Sequence, residues 1–257
     1  MKKLFILISI FFVNNILCLD QIEAILNKYK TFLENGTYEN QDWSNFSIKP
    51  KSRYETFKSA FNLFLKNKGK IVVELGTTRS FVNGNHVGCN SDDIQYWQPN
   101  NPEVWDWGAG FFTRVAAECL ISLTPMIYTI DISSNHINRC KIITKNFENI
   151  IKYKVESSLD FLKNFNNKID LLYMDTGDMT PIEPTAQLQL EEAKIVVKRN
   201  LIPKNGLILI DDVKNQTPKK FGEKSDFGKA KYSIDFFLKN GFEILANEYQ
   251  VLLRKTN

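Results

Sequence analysis

The sequence predicts one large α/β domain: a doubly wound, mostly parallel sheet of seven strands with helices on both faces. Three observations carry this expectation. Apolar strand-like runs alternate with amphipathic helical patterns from residue 50 onward. Five of those runs are continuously apolar, as strands of a parallel sheet covered on both faces are. The 257 residues, 43% hydrophobic and 24% charged, can also bury a substantial core and exclude wholesale disorder. The net charge of +4 is small for this length, and no basic stripe with interleaved aromatics is present, so nucleic-acid binding gains no support.

The first residues stand apart from the domain. Lys2 and Lys3 precede the apolar stretch "LFILISIFFV" (4–13) and then "NNILCLD", the pattern of a secretory signal. The run is too short to span a bilayer comfortably, and Asn14 and Asn15 interrupt it, so no stable membrane span is expected in the mature chain. Cleavage near Cys18 would start the mature chain at residue 19 or 20 and send it to a secreted or periplasmic location. An uncleaved membrane anchor or an apolar N-terminal helix is the alternative; Leu17 is too bulky for a lipoprotein site at Cys18. The predicted organisation is thus a signal or anchor over 1–19, a helical segment over 20–69 and the main domain over 70–257. Removing Lys2 and Lys3 with the signal lowers the charge from +4 to +2. Cys89, Cys119 and Cys140 then remain without CxxC spacing and read as packing residues.

Within the domain, "SRYETFKSAFNLFLKN" places Tyr54, Phe57, Phe61, Phe64 and Leu65 on one helical face, with Ser52 and Glu55 as a capping box. Strands follow at 70–75, 126–131, 150–155, 169–175 and 206–212, with helical patterns near 110–122, 134–147, 158–165 and 185–200. In "DFGKAKYSIDFFLKNG", Phe227, Ala230, Ile234, Phe237 and Leu238 share a face, and Gly241 is the expected C-cap. "FEILAN" and "YQVLLRK" supply the last two strands.

Ligands in such sheets bind beyond the carboxyl ends of the strands. Four of the five main strands end in acid: Glu74, Asp131, Asp175, and the pair Asp211 and Asp212. Gly76 follows Glu74 in "VVELGTT" and begins a tight turn that lets a ligand approach the backbone. No G-x-G-x-x-G is present, so a dinucleotide pyrophosphate has no cradle. A carboxylate at Asp131 can accept both hydroxyls of a ribose. The combination favours a nucleoside cofactor without a phosphate chain, of which S-adenosylmethionine is one.

The order "VVELGTT", "YTIDIS", "DLLYMDTGD" and "GLILIDD" resembles the class I S-adenosylmethionine-dependent methyltransferases over about residues 70–255. Within that Rossmann-like superfamily it looks most like small-molecule O-methyltransferases related to the macrocin and catechol enzymes. The resemblance implies that Glu74, Gly76 and Thr77 lie against the methionine part of the cofactor and that Asp131 binds its ribose. It implies Ser157 near the adenine, although a helix N-cap in "VESSLDFL" explains that serine equally. The glycine-rich first loop is reduced to Gly76, and a long insertion carrying Trp97, Trp105 and Trp107 separates it from Gly108 and Gly110. Those aromatics suit either a substrate wall or a satellite cluster anchoring the loop.

By the same resemblance, Asp175, Asp211 and Asp212 match the ligand positions of relatives that hold Mg²⁺, which would bind a substrate hydroxyl and lower its pKa. Asp175 would also border the cofactor and the chemistry. Asp178 stands where such relatives often carry a lysine or histidine base, and it reads as base, metal ligand or turn cap. Glu183 and His86 are further candidates, whereas His136 falls in a helical pattern and reads as structural. The six lysines of "KNQTPKKFGEKSDFGKAK" read as a solvated loop or as a lid attracting an acidic substrate. The leading expectation is methyl transfer to an oxygen of a small molecule. A nicotinamide-dependent oxidoreductase and an exported, non-catalytic binding protein on the same fold are the alternatives.

Overall fold

A computed structural model describes residues 21–35, 53–77, 111–177, 181–213 and 228–257. Seven strands form one sheet: β1 (Ile71–Leu75), β2 (Met126–Asp131), β3 (Ile151–Val155), β4 (Leu171–Met174), β5 (Leu207–Ile210), β6 (Phe242–Asn247) and β7 (Val251–Lys255). Their order is β3-β2-β1-β4-β5-β7-β6. The first five pair in parallel, and β7 inserts antiparallel between β5 and β6. All four residues of β4 and all four of β5 are buried, which is why these strands are uninterrupted apolar runs.

Helices cover both faces. Residues 21–28 form α1, followed by α2 (Lys30–Asn35), α3 (Tyr54–Lys66), α4 (Phe111–Leu120), α5 (Ser134–Ile143), α6 (Ser158–Asn164), α7 (Ile182–Lys198) and α8 (Ser233–Lys239). Ile22, Ile25 and Leu26 of α1, with Tyr29 just after it, recur at helical spacing and join α3 and α4 in one core against Val72, Ile127, Tyr173 and Leu209. The opposite core packs α6, α7 and α8 onto Val73, Leu75, Leu172 and Ile208. The described helices before residue 70 therefore belong to the same packed body as the sheet. Cys119 and Cys140 are buried free thiols, as expected of packing residues. Among the described residues no helix is long and apolar enough to cross a membrane.

Three local expectations need correction. Helix α3 begins at Tyr54 with Arg53 in the N-cap position and without a side-chain cap, one residue past the expected Ser52, which lies outside the described residues. The Arg53 guanidinium is engaged at the far end of β5 instead. The last helical pattern breaks into a 3-10 turn (Gly228–Ala230) and α8, and Leu238 is 38% exposed rather than on the buried face. The break places Lys229 under the sheet's edge. Helix α7 starts three residues earlier than its pattern, at Ile182, directly after Pro181.

Candidate active site

The switch point of the sheet lies between β1 and β4, whose crossovers run to opposite sides. At the end of β1, Gly76 has φ +81°, and a Cβ there would sit 2.7 Å from the Asp175 carbonyl oxygen. The turn therefore requires glycine, because it packs backbone to backbone on the end of β4. Its amide donates to the Ile130 carbonyl (2.8 Å), and the next amide, of Thr77, donates to Asp131 Oδ2 (3.2 Å). Gly76, Thr77, Asp131 and the Asp175 backbone thus lie together at the ends of β1, β2 and β4.

Glu74 is sealed among threonine hydroxyls. Its carboxyl is 1% exposed and accepts from the hydroxyls of Thr77 (3.0 Å), Thr129 (2.6 Å) and Thr113. Burial pushes its pKa up to about 8 against the opposing pull of these hydroxyls. In this arrangement Glu74 ties β1 to β2 and to the start of α4.

Asp131 is the better placed of the two acids. Its Oδ1 accepts from the Ser133 amide (2.8 Å) and faces His136 Nδ1 (3.1 Å), while among the described residues Oδ2 receives only the Thr77 amide. A carboxylate oxygen has two lone pairs, so Oδ2 keeps acceptor capacity for a hydroxyl. This donor set fits the ribose of a nucleoside cofactor. His136, expected to be structural only, in fact orients the carboxylate. Ser157 is the N-cap of α6: its Oγ accepts from the Asp160 amide (3.1 Å) and donates to Asp160 Oδ2 (2.8 Å). The capping alternative thus accounts for this serine.

The carboxylates after β4 and β5 do converge, but around cations supplied by the chain. Arg53 Nε donates to both oxygens of Asp211 (3.1 and 2.9 Å), and its Nη2 lies 2.9 Å from Asp211 Oδ2 and 3.5 Å from Asp212 Oδ1. The Tyr173 hydroxyl donates to Asp211 Oδ2 (2.6 Å), and the Tyr249 hydroxyl donates to Asp212 Oδ1. Lys229 Nζ lies 2.7 Å from Asp175 Oδ1 and 2.8 Å from Asp212 Oδ2. Burial lowers the Lys229 pKa, but the two carboxylates outweigh it and leave the ammonium firmly protonated. Burial likewise pushes Asp175 up to about 7, with Lys229 pulling the other way and Asp211 and Asp212 adding to the rise.

This geometry does not fit the expected metal centre. A Mg²⁺ ion needs oxygens at about 2.0–2.1 Å in an octahedron, whereas here an ammonium and a guanidinium already bridge the carboxylates. No group of three His, Cys, Asp or Glu side chains among the described residues is placed to hold an ion. The assignment of Asp175, Asp211 and Asp212 as metal ligands is therefore corrected: the charges that would call for a metal are met by Arg53 and Lys229.

The remaining candidates separate. Glu183 takes hydrogen bonds from Tyr232 (2.7 Å), Lys231 (3.0 Å) and Gln187 (3.1 Å), latching α7 to α8. Lys231 fits a solvated loop, but Lys229 at 4% exposure does not. Asp178, His86, Gly108, Gly110, the three tryptophans of the insertion, Phe227 and residues 1–19 lie outside the described residues. Sequence reasoning missed Arg53, Lys229, Tyr173 and Tyr249. The one available signal was the small pair Gly228 and Ala230 flanking Lys229, which allows close packing of that turn.

No protein-family model matches the sequence, and no curated protein does. Solved structures do resemble it. The methyltransferase PaMTH1 of Podospora anserina, solved bound to SAH (S-adenosylhomocysteine), is 13% identical, with a TM-score of 0.52 over 93% of this chain and 88% of that one. A methyltransferase from Geobacter sulfurreducens is 14% identical, with a TM-score of 0.45 over 79% of each chain. Strand order and the first of these likenesses show the fold: a seven-stranded, mostly parallel Rossmann-like sheet with helices on both faces, shared with that methyltransferase.

Proposed function

We propose that the protein transfers a methyl group from S-adenosylmethionine to an oxygen of a small-molecule acceptor. The observation that carries this reading is Asp131, held at the end of β2 by the Thr77 and Ser133 amides with acceptor capacity left on Oδ2. When bound, the cofactor supplies a methyl group on a positively charged sulfur. The acceptor's hydroxyl proton passes to Asp175, whose Oδ1 is held by Lys229 and whose pKa near 7 suits a base. Positioning of acceptor against methyl supplies the remaining acceleration. No step uses a metal.

Calorimetry with S-adenosylmethionine and S-adenosylhomocysteine tests the cofactor. Asp131→Ala removes a charged acceptor and should weaken binding by about 1.5–3 kcal/mol. Equal affinity in wild type and variant would reject the ribose role. We also propose that the chain is exported through residues 1–19, which carry the charged and apolar pattern of a signal.

A further inference from the structure

We propose that Lys229 is the resident cation of the strand-end carboxylates, standing where a divalent ion would otherwise bind and making the centre metal-independent. The inference rests on packing and charge, and holds whether or not the acceptor is a hydroxyl.

The ammonium is placed by backbone, not by a flexible reach from solvent. Gly228 has φ +46°, and a Cβ on it would fall 1.9 Å from the Asp212 carbonyl oxygen, so the turn lies directly on the end of β5. The Lys229 amide donates to that same carbonyl (3.2 Å). Asp212 itself has φ +53°, a left-handed conformation that costs a non-glycine residue energy and is held only where its surroundings fix it. Two left-handed residues, one on each side of the contact, thus lock the lysine against the carboxylates. Its side chain is 4% exposed, and retreat from an incoming ion would bury or expel a charge with no other partner among the described residues.

The carboxylates are committed as well. Both oxygens of Asp211 are taken by Arg53, with Tyr173 and the Asp212 amide (2.8 Å) completing the set. Asp212 is shared by Lys229, Arg53 and Tyr249. Against three carboxylates, two fixed cations leave at most one negative charge, too little to attract a hard divalent ion. A lysine ammonium has three donors. Two go to Asp175 and Asp212, and among the described residues the third has no acceptor, which leaves it for an oxygen of the bound acceptor.

Mn²⁺ binding to the full chain, followed by the electron paramagnetic resonance signal of the free ion, tests this without cofactor or acceptor. Its failure is therefore separate from failure of the methyl-transfer reading. The wild type should leave the free-ion signal unchanged at millimolar Mn²⁺. Lys229→Met should create a site, with affinity at least about tenfold tighter than wild type, and Lys229→Arg should not. Wild-type binding that disappears in Asp212→Asn would overturn the proposal, as would a folded Lys229→Met protein that binds no Mn²⁺. Should Lys229→Met fail to fold, the wild-type and Asp212→Asn titrations decide alone.

Discussion

Glu74 and Asp131 are both strand-end acids, yet their surroundings give them different chemistry. Asp131 takes the Thr77 and Ser133 amides and keeps acceptor capacity on Oδ2. Glu74 is sealed among three threonine hydroxyls and is largely protonated at neutral pH, because burial raises its pKa from the usual 4.5 to about 8. A raised carboxyl pKa means the folded state holds the proton more tightly than the unfolded chain. The associated stability is complete below about pH 4.5 and is lost as pH rises through about 8. The slope is about 1.4 kcal/mol per pH unit within that window. Glu74→Gln mimics the neutral acid, so its urea stability should be flatter than wild type between pH 5 and pH 8 on the order of that slope. Parallel pH profiles for the two proteins would show that Glu74 is ionised in its threonine pocket.

Elements meet at the carboxyl edge through side chains that no single element contains. Arg53 precedes α3, accepts no capping duty there, and joins the start of that helix to the end of β5 through Asp211. Its guanidinium also stacks 4.5 Å from the Tyr249 ring, drawing in the segment before β7. Its backbone amide donates to Leu33 at the end of α2 (2.6 Å), so one residue fastens three elements. Arg53→Ala should cost about 3–5 kcal/mol, since it strands buried Asp211 without its cation. Chemical denaturation measures this directly. A loss below about 1 kcal/mol, the range of surface ion pairs, would show that the pair is dispensable. Arg53→Lys should recover part of the loss, because lysine keeps the charge without the two-pronged geometry.

At the scale of the molecule, the two cores place α1 to α5 on one face and α6 to α8 on the other, with the carboxyl edge of the sheet between them. The first core residue among those described is Ile22, so a chain starting at residue 19 or 20 keeps every described core contact. Export with cleavage is therefore compatible with the fold. N-terminal sequencing of protein from its native host should find a start near residue 19 or 20. An intact Met1 on soluble cytosolic protein would contradict export.

The sequence by itself determined the main strands, their parallel character and the acids at their ends, because each depends on local pattern, whereas the strand order came from the structure. Continuous apolar runs such as "LLYM" and "LILI" mark doubly covered strands, and "ELG" marks a strand that must turn without a side chain. What it could not determine was the partner of each acid. Asp211 pairs with a residue 158 positions earlier in the chain, and Asp175 with one 54 positions later. Such contacts leave no periodicity to read, and a lysine in a lysine-rich stretch looks solvated until the turn beside it packs on β5. Only the tertiary structure decided that three carboxylates answer to an arginine and a lysine, because only there does burial set which charges must be neutralised.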